Sequence, residues 1–92
     1  MAKQFLHISF IFKNQPYLES LEPVFGKALD WLRYSDTCWI VYTSSDADKW
    51  YRRLKPEIGE RDNILIIKVD PSERQGYMPK TVWEWFKKPR DG

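Results

Sequence analysis

The sequence predicts a small α+β domain in which helices cover one face of a single β-sheet. Two observations carry this prediction. Three short apolar runs, which have the length and composition of strands, occur at residues 5–12, 37–43 and 64–69. Two longer amphipathic stretches, typical of helices, separate them at residues 17–32 and 46–58. Elements in this order pack as a layer of helices on a layer of sheet.

The totals of the chain set limits on its organisation. Its 92 residues leave no room for a second core, so we predict a single domain over residues 1–92. Hydrophobic residues make up 42% of the chain, which is ample for a packed core, and charged residues 30%, which is typical of a soluble surface. The net charge of +2 is too small to indicate a nucleic-acid partner by itself.

A cytoplasmic location is expected. No apolar stretch approaches the length of a membrane span, and residues 1–4 lead into the first strand without the pattern of a signal peptide. Cys38 is the single cysteine, so no internal disulfide can form, and this suits a reducing compartment.

The first strand is predicted over residues 3–12 and the first helix over residues 17–32, where apolar side chains recur at helical spacing. Pro23 restricts this helix, because proline costs about 3 kcal/mol inside a helix but is tolerated in the first turn. The regular helix is therefore expected to begin near Ser20. A kinked helix that begins at Pro16 is the alternative.

Residues 31–34 allow two interpretations, since they either finish the first helix or form a short strand. Ser35 and Asp36 indicate a turn, and residues 37–43 form the clearest strand, dense in β-branched and aromatic residues. We therefore predict a hairpin in which residues 31–34 pair with this strand.

The remaining elements are a second helix, a last strand over residues 64–69 and a tail helix over about residues 79–88. Ser45 is expected to cap the second helix, with Asp48 three residues later as in a capping box, and Gly59 to end it. Its buried stripe is expected to contain Ala47, Trp50, Tyr51, Leu54 and Ile58.

Together the elements predict a ferredoxin-like βαββαβ sheet of four antiparallel strands, followed by the short C-terminal helix. A parallel sheet is the alternative, because the chain also fits a plain βαβαβ order.

Both faces of the predicted strands are apolar, so helices on one face leave the other without cover. Phe5, Ile11, Ile64 and Ile66 are expected on this second face. Burying a large apolar side chain is worth about 1.5–3 kcal/mol, so exposing several is costly. The tail helix or a second copy of the chain can cover them. We predict a homodimer with these four residues at its interface.

Three segments carry a resemblance to a known family: Ile8-Ser9-Phe10, residues 31–41 and residues 76–85. They resemble the SinR-like family over about residues 4–88. That family is similar to the small CRISPR-associated adaptation subunit and to virulence-associated protein D. The resemblance implies a small homodimer, either a metal-dependent nuclease or a non-catalytic scaffold on DNA.

The nuclease relatives carry an acidic residue near the end of the first strand, in a pattern like Ser-Tyr-Asp. This chain has Ser9-Phe10-Ile11, and Ile11 lacks the oxygen ligands that metals of the magnesium class need. We therefore expect a non-catalytic homodimeric interaction module without a catalytic residue, metal or cofactor. The alternative is a metal-dependent nuclease of the adaptation-subunit type.

Several isolated residues are assigned structural roles. His7 and Cys38 lie in strands and are expected to be packed or hydrogen-bonded. Asp46 and Asp48 are interpreted as charges at a helix start, and no second acidic residue is placed beside Asp70.

The basic residues form two clusters. One lies on the second helix and contains Lys49, Arg52, Arg53 and Lys55. The other lies in the tail and contains Lys87, Lys88 and Arg90. Such clusters bind nucleic-acid phosphates without reading sequence, and we assign this role to the first cluster. The alternative is that these residues form a solvated helix face, which either contacts a protein partner or has no partner.

Overall fold

A computed structural model of the chain describes residues 2–14 and 18–90. This part of the chain forms four strands, three α-helices and a short 3₁₀ helix. In chain order they are β1 (Gln4–Ile11), α1 (Leu18–Phe25), β2 (Asp30–Ser35), β3 (Cys38–Thr43), α2 (Ala47–Leu54), the 3₁₀ helix (Lys55–Glu57), β4 (Asn63–Val69) and α3 (Lys80–Lys87). The α+β class is confirmed.

The four strands form one sheet in the order β2-β3-β1-β4. All three neighbouring pairs are antiparallel, so the alternative of a parallel sheet is wrong. The predicted hairpin is confirmed, since β2 pairs with β3 and places Trp31 opposite Val41. An irregularity between Arg33 and Ser35 shifts the register just before the turn.

The core lies between one face of the sheet, here called the inner face, and helices α1 and α2. Its buried residues are Leu6, Ile8, Phe10, Leu21, Val24, Phe25, Trp39, Val41, Trp50 and Leu54. The ring of Phe25 stacks on Trp39, with centroids 4.6 Å apart, and also lies 6.0 Å from the ring of Trp50. Aromatic contacts therefore connect both helices to the central strands.

Ile64 and Ile66 lie on the inner face, so their predicted position on the opposite face is wrong. The register of β4 against β1 places Ile64 opposite Phe10 and Ile66 opposite Ile8. Both isoleucines pack against the core. Because a shift of one residue moves every side chain of a strand to the other face, register decides the question, and both faces of β4 are too apolar to reveal it from sequence.

Helix α1 is shorter than predicted, because it ends at Phe25 rather than near residue 32. The chain then turns into the sheet, where the Leu29 N–H donates to the Tyr42 carbonyl at 2.9 Å. The helix begins at Leu18 and keeps Pro23 inside it, rather than beginning near Ser20. The kinked alternative from Pro16 lies outside the described residues.

Asp46, and not Ser45, caps helix α2. Its carboxylate accepts a hydrogen bond from the Lys49 N–H at 2.9 Å, while the Ser45 N–H donates to the Thr43 hydroxyl at 3.0 Å. The α-helix ends at Leu54, before the predicted end at Gly59, and the 3₁₀ helix that follows contains Pro56. Trp50 and Leu54 are buried as predicted, whereas Tyr51 is 44% exposed.

Helix α3 lies on the face of the sheet opposite the core, here called the outer face. Its Val82 and Trp85 are buried, and the ring of Trp85 lies 6.0 Å from that of Phe5. The tail helix therefore covers part of the second apolar face. Within the described ranges, no helix is both long enough and apolar enough to cross a membrane.

Candidate functional site: the outer face of the sheet

Strand alternation brings one set of residues from all four strands to the outer face. Its members are Phe5, His7, Ser9, Ile11, Asp30, Leu32, Tyr34, Cys38, Ile40, Tyr42, Leu65, Ile67 and Val69. Helix α3 covers the end of this face near Phe5 and Tyr42. The opposite end, along β4 and the end of β1, is open.

The open end carries three exposed aliphatic side chains, which we call the open patch. The exposed fractions are 64% for Ile11, 59% for Leu65 and 51% for Ile67. Strand β4 is also an edge of the four-stranded sheet that the described residues form. Exposed apolar side chains beside a strand edge are typical of a surface that pairs with another chain.

A polar cluster crosses the middle of the outer face. His7 Nε2 and the Tyr34 hydroxyl form a hydrogen bond of 2.5 Å. Burial lowers the pKa of His7, so the imidazole is neutral at physiological pH. Burial, followed by the hydrogen bond and charge of the Cys38 thiolate, raises the pKa of Tyr34 to about 12. The contact with Tyr34 shows that His7 is hydrogen-bonded, as predicted.

Cys38 belongs to the same cluster. Burial opposes ionisation of its thiol, but hydrogen bonds from the hydroxyls of Ser35, Tyr34 and Thr37 lower the pKa of Cys38 overall. The Thr37 hydroxyl lies 3.8 Å from the sulfur. Nowhere in residues 2–14 and 18–90 do three or more His, Cys, Asp or Glu side chains come together as a potential metal site.

Arg90 fastens the chain after α3 to the sheet. Its guanidinium carbon lies 4.3 Å from the ring centroid of Trp85, 5.3 Å from Phe5 and 5.4 Å from Tyr42. The same group donates to the Asp30 carboxylate at 3.2 Å and to the Trp85 carbonyl at 2.9 Å. Only 11% of the Arg90 side chain is exposed. We call these five residues the Arg90 anchor.

The groups around Asp30 shift the pKa of its carboxyl group. Partial burial alone would raise its pKa, but the Trp85 indole N–H, the Lys88 ammonium and the Trp31 backbone N–H lower it below the usual range. The Lys88 ammonium lies 3.3 Å from this carboxylate. The Trp85 indole N–H lowers the pKa of Asp30 although it forms no hydrogen bond of standard geometry. Asp30 is therefore held in its charged form.

The predicted phosphate-binding residues of α2 do not share one free surface. Arg52 pairs with Asp48 at 2.9 Å, one helical turn away. Arg53 lies over the ring of Trp50 at 5.0 Å and is half-buried. Lys49 is exposed, whereas Lys55 begins the 3₁₀ helix and is half-buried. Two of the four cations are thus engaged within the helix itself.

The predicted interface residues separate into three places. Phe5 belongs to the Arg90 anchor and Ile11 to the open patch, whereas Ile64 and Ile66 pack on the inner face. Sequence reasoning missed Leu65 and Ile67, which replace the two isoleucines on the outer face. Their exposure follows from the register of β4, for which the apolar run offers no signal.

Sequence reasoning also missed the Arg90 anchor, because it placed Arg90 only in the basic cluster of the tail. The rings of Phe5, Tyr42 and Trp85 surround Arg90. These residues lie far apart in the sequence, and they meet only because α3 docks on this end of the sheet. No family model, curated protein or solved structure matches the chain significantly.

Proposed function

We propose that the protein is a non-catalytic interaction module of ferredoxin-like fold that forms a homodimer through the open patch. The fold part is supported by the strand order β2-β3-β1-β4 with antiparallel neighbours. The dimer is proposed because the side chains of Ile11, Leu65 and Ile67 are each more than half exposed at one end of the sheet. The SinR-like resemblance and the cytoplasmic location stay predictions.

A twofold dimer would bury the open patch of one copy against that of the other. Burying a fully exposed large apolar side chain is worth about 1.5–3 kcal/mol, and each of these three is still more than half exposed. Closed twofold dimers are the commonest oligomers. The outer face has two apolar ends, and α3 covers only one of them. A second copy would therefore cover the end of the outer face that α3 leaves open, and the two would not compete for the same surface.

Size-exclusion chromatography with light scattering tests the dimer. The parent is expected at twice the 11.1 kDa mass of the chain. The double variant Leu65→Lys, Ile67→Lys is expected at the mass of one chain, because four buried ammonium groups would face one another in the dimer. Leu29→Lys is the matched control, since Leu29 is 58% exposed but lies outside the patch. A single-chain mass for the parent at micromolar concentration would refute the dimer.

The non-catalytic part of the proposal is tested by incubating the purified protein with single- and double-stranded RNA and DNA, plus magnesium or manganese. No cleavage is expected, because position 11 offers a hydrocarbon side chain where the nuclease relatives carry an acid. Cleavage that follows the protein through purification and stops on chelation would establish the nuclease alternative instead.

A further inference from the structure

A basic cleft lies beside the Arg90 anchor, at the opposite end of the outer face from the open patch. It has a volume of about 570 Å³ and lies between the start of β1, the end of β4 and the end of α3. Five cationic residues line it: Lys3, Lys68, Arg74, Lys88 and Arg90. The volume is in the range of ligand-binding pockets.

The charge of the cleft is unbalanced. Asp70 is the one acidic residue among its described lining residues, and Asp30 lies beneath Lys88 and Arg90. Among these described residues, cationic side chains outnumber acidic ones by five to two, in a chain whose net charge is +2. A cleft that concentrates one sign of charge attracts polyanions.

Aromatic rings accompany these charges. Phe86 lines the cleft, and the Arg74 guanidinium lies over its ring at 5.0 Å. Arg74 also donates to the Pro71 carbonyl at 2.9 Å, which orients the guanidinium group. Phe5 and Tyr42 also line the cleft, where the Arg90 guanidinium lies over their rings. A groove of cations beside flat π surfaces is the arrangement that binds single strands, in which phosphates and bases are both accessible.

We propose that the basic cleft binds the backbone of single-stranded nucleic acid, with Lys3 and Arg74 contacting phosphates and the Arg74–Phe86 pair facing a base. The ring of Phe86 in the lining favours a single strand, because the bases of a duplex stack on one another and are not available to stack on a side chain. The proposal moves the phosphate-binding site from α2 to the end of the outer face. It does not depend on the dimer, because the cleft and the open patch share no residue.

Fluorescence anisotropy with a labelled twenty-residue oligothymidylate at low salt tests the cleft. The parent is expected to bind, and Lys3→Gln, Arg74→Gln to weaken binding about tenfold, with a shallower salt dependence by about 0.7 in the log–log slope for each lost phosphate contact. Lys49→Gln, Arg52→Gln is the matched control. It removes the same charge from α2 and is expected to bind as tightly as the parent.

Several results would overturn the proposal. They are the absence of binding at low salt, equal weakening by both double variants, and displacement of the strand by tripolyphosphate or a mononucleotide at equal phosphate concentration. The last result would indicate a small phosphorylated ligand. Light scattering on the same variants separates the dimer proposal from the proposal for the cleft. Both double variants are expected to have the mass of the parent, whether or not they bind the strand.

Discussion

At the scale of single residues, buried polar groups with defined partners connect the elements of this fold. Asp62 is buried, and its carboxylate accepts hydrogen bonds from the Gly59 N–H at 2.7 Å and the Lys13 N–H at 2.9 Å. It thereby joins the loop after β1 to the turn before β4. The Thr43 hydroxyl has a similar role between β3 and α2, where it accepts from the Trp50 indole and the Ser45 N–H.

Replacing Thr43 by valine is expected to lower the free energy of unfolding by about 1–3 kcal/mol, because the buried Trp50 indole N–H loses its acceptor while the volume stays the same. Urea denaturation measures the change. Thr81→Val on the exposed side of α3 is the control and is expected to stay within about 0.5 kcal/mol of the parent. Equal effects of the two substitutions would show that the indole hydrogen bond contributes nothing.

The pH dependence of stability is a second prediction at this scale. The folded pKa of Asp30 is lowered, so the interactions of its carboxylate contribute their full stabilisation above the ordinary value of 3.8 and lose it as the pH falls through the folded pKa. Asp30→Asn is therefore expected to be less stable than the parent at pH 7, and the difference is expected to vanish in strong acid. A difference that does not change with pH would contradict the assignment.

At the scale of elements, helix α3 is held on the outer face by a small set of side chains. A loop that contains Pro71 and Pro79 connects it to β4, and it meets the sheet through Val82, Trp85 and the Arg90 anchor. A short helix with an amphipathic face gains most of its stability from such docking. The anchor therefore determines whether α3 stays docked on this end of the outer face.

Arg90→Met is expected to weaken the docking of α3 by about 2 kcal/mol, since it removes both the bond to Asp30 and the contact with three aromatic rings. Hydrogen exchange of the α3 amides measures this directly and is expected to accelerate, while the amides of β1 and β3 keep their rates. Lys88→Met is the control, because the Lys88 side chain is 56% exposed and its ion pair is worth little. Unchanged exchange in Arg90→Met would mean that α3 docks without the anchor.

At the scale of the whole molecule, the outer face has three parts with different chemistry. The basic cleft and the Arg90 anchor lie at one end, the polar cluster of His7 and Tyr34 lies in the middle, and the open patch lies at the other end. The basic cleft and the open patch share no residue, and on the outer face of β4 they are separated by two positions, from Ile67 to Val69.

The dimer predicts a melting temperature that depends on concentration, because dissociation accompanies unfolding. We expect the melting temperature of the parent to rise over a hundredfold increase in protein concentration. The double variant Leu65→Lys, Ile67→Lys is expected to melt at one temperature throughout. A parent that melts independently of concentration, while remaining folded, would contradict the dimer at this scale.

The sequence by itself predicted the α+β class and the buried positions Trp50 and Leu54, and it favoured the hairpin of residues 31–43, because these depend on local periodicity and turn chemistry. Only the tertiary structure decided where α1 ends and which face of β4 is buried. Both depend on pairing between distant strands, and a run such as residues 64–67, apolar at every position, fits either register equally well. The Arg90 anchor and the basic cleft likewise exist only after α3 docks, since their members lie up to 87 residues apart, from Lys3 to Arg90.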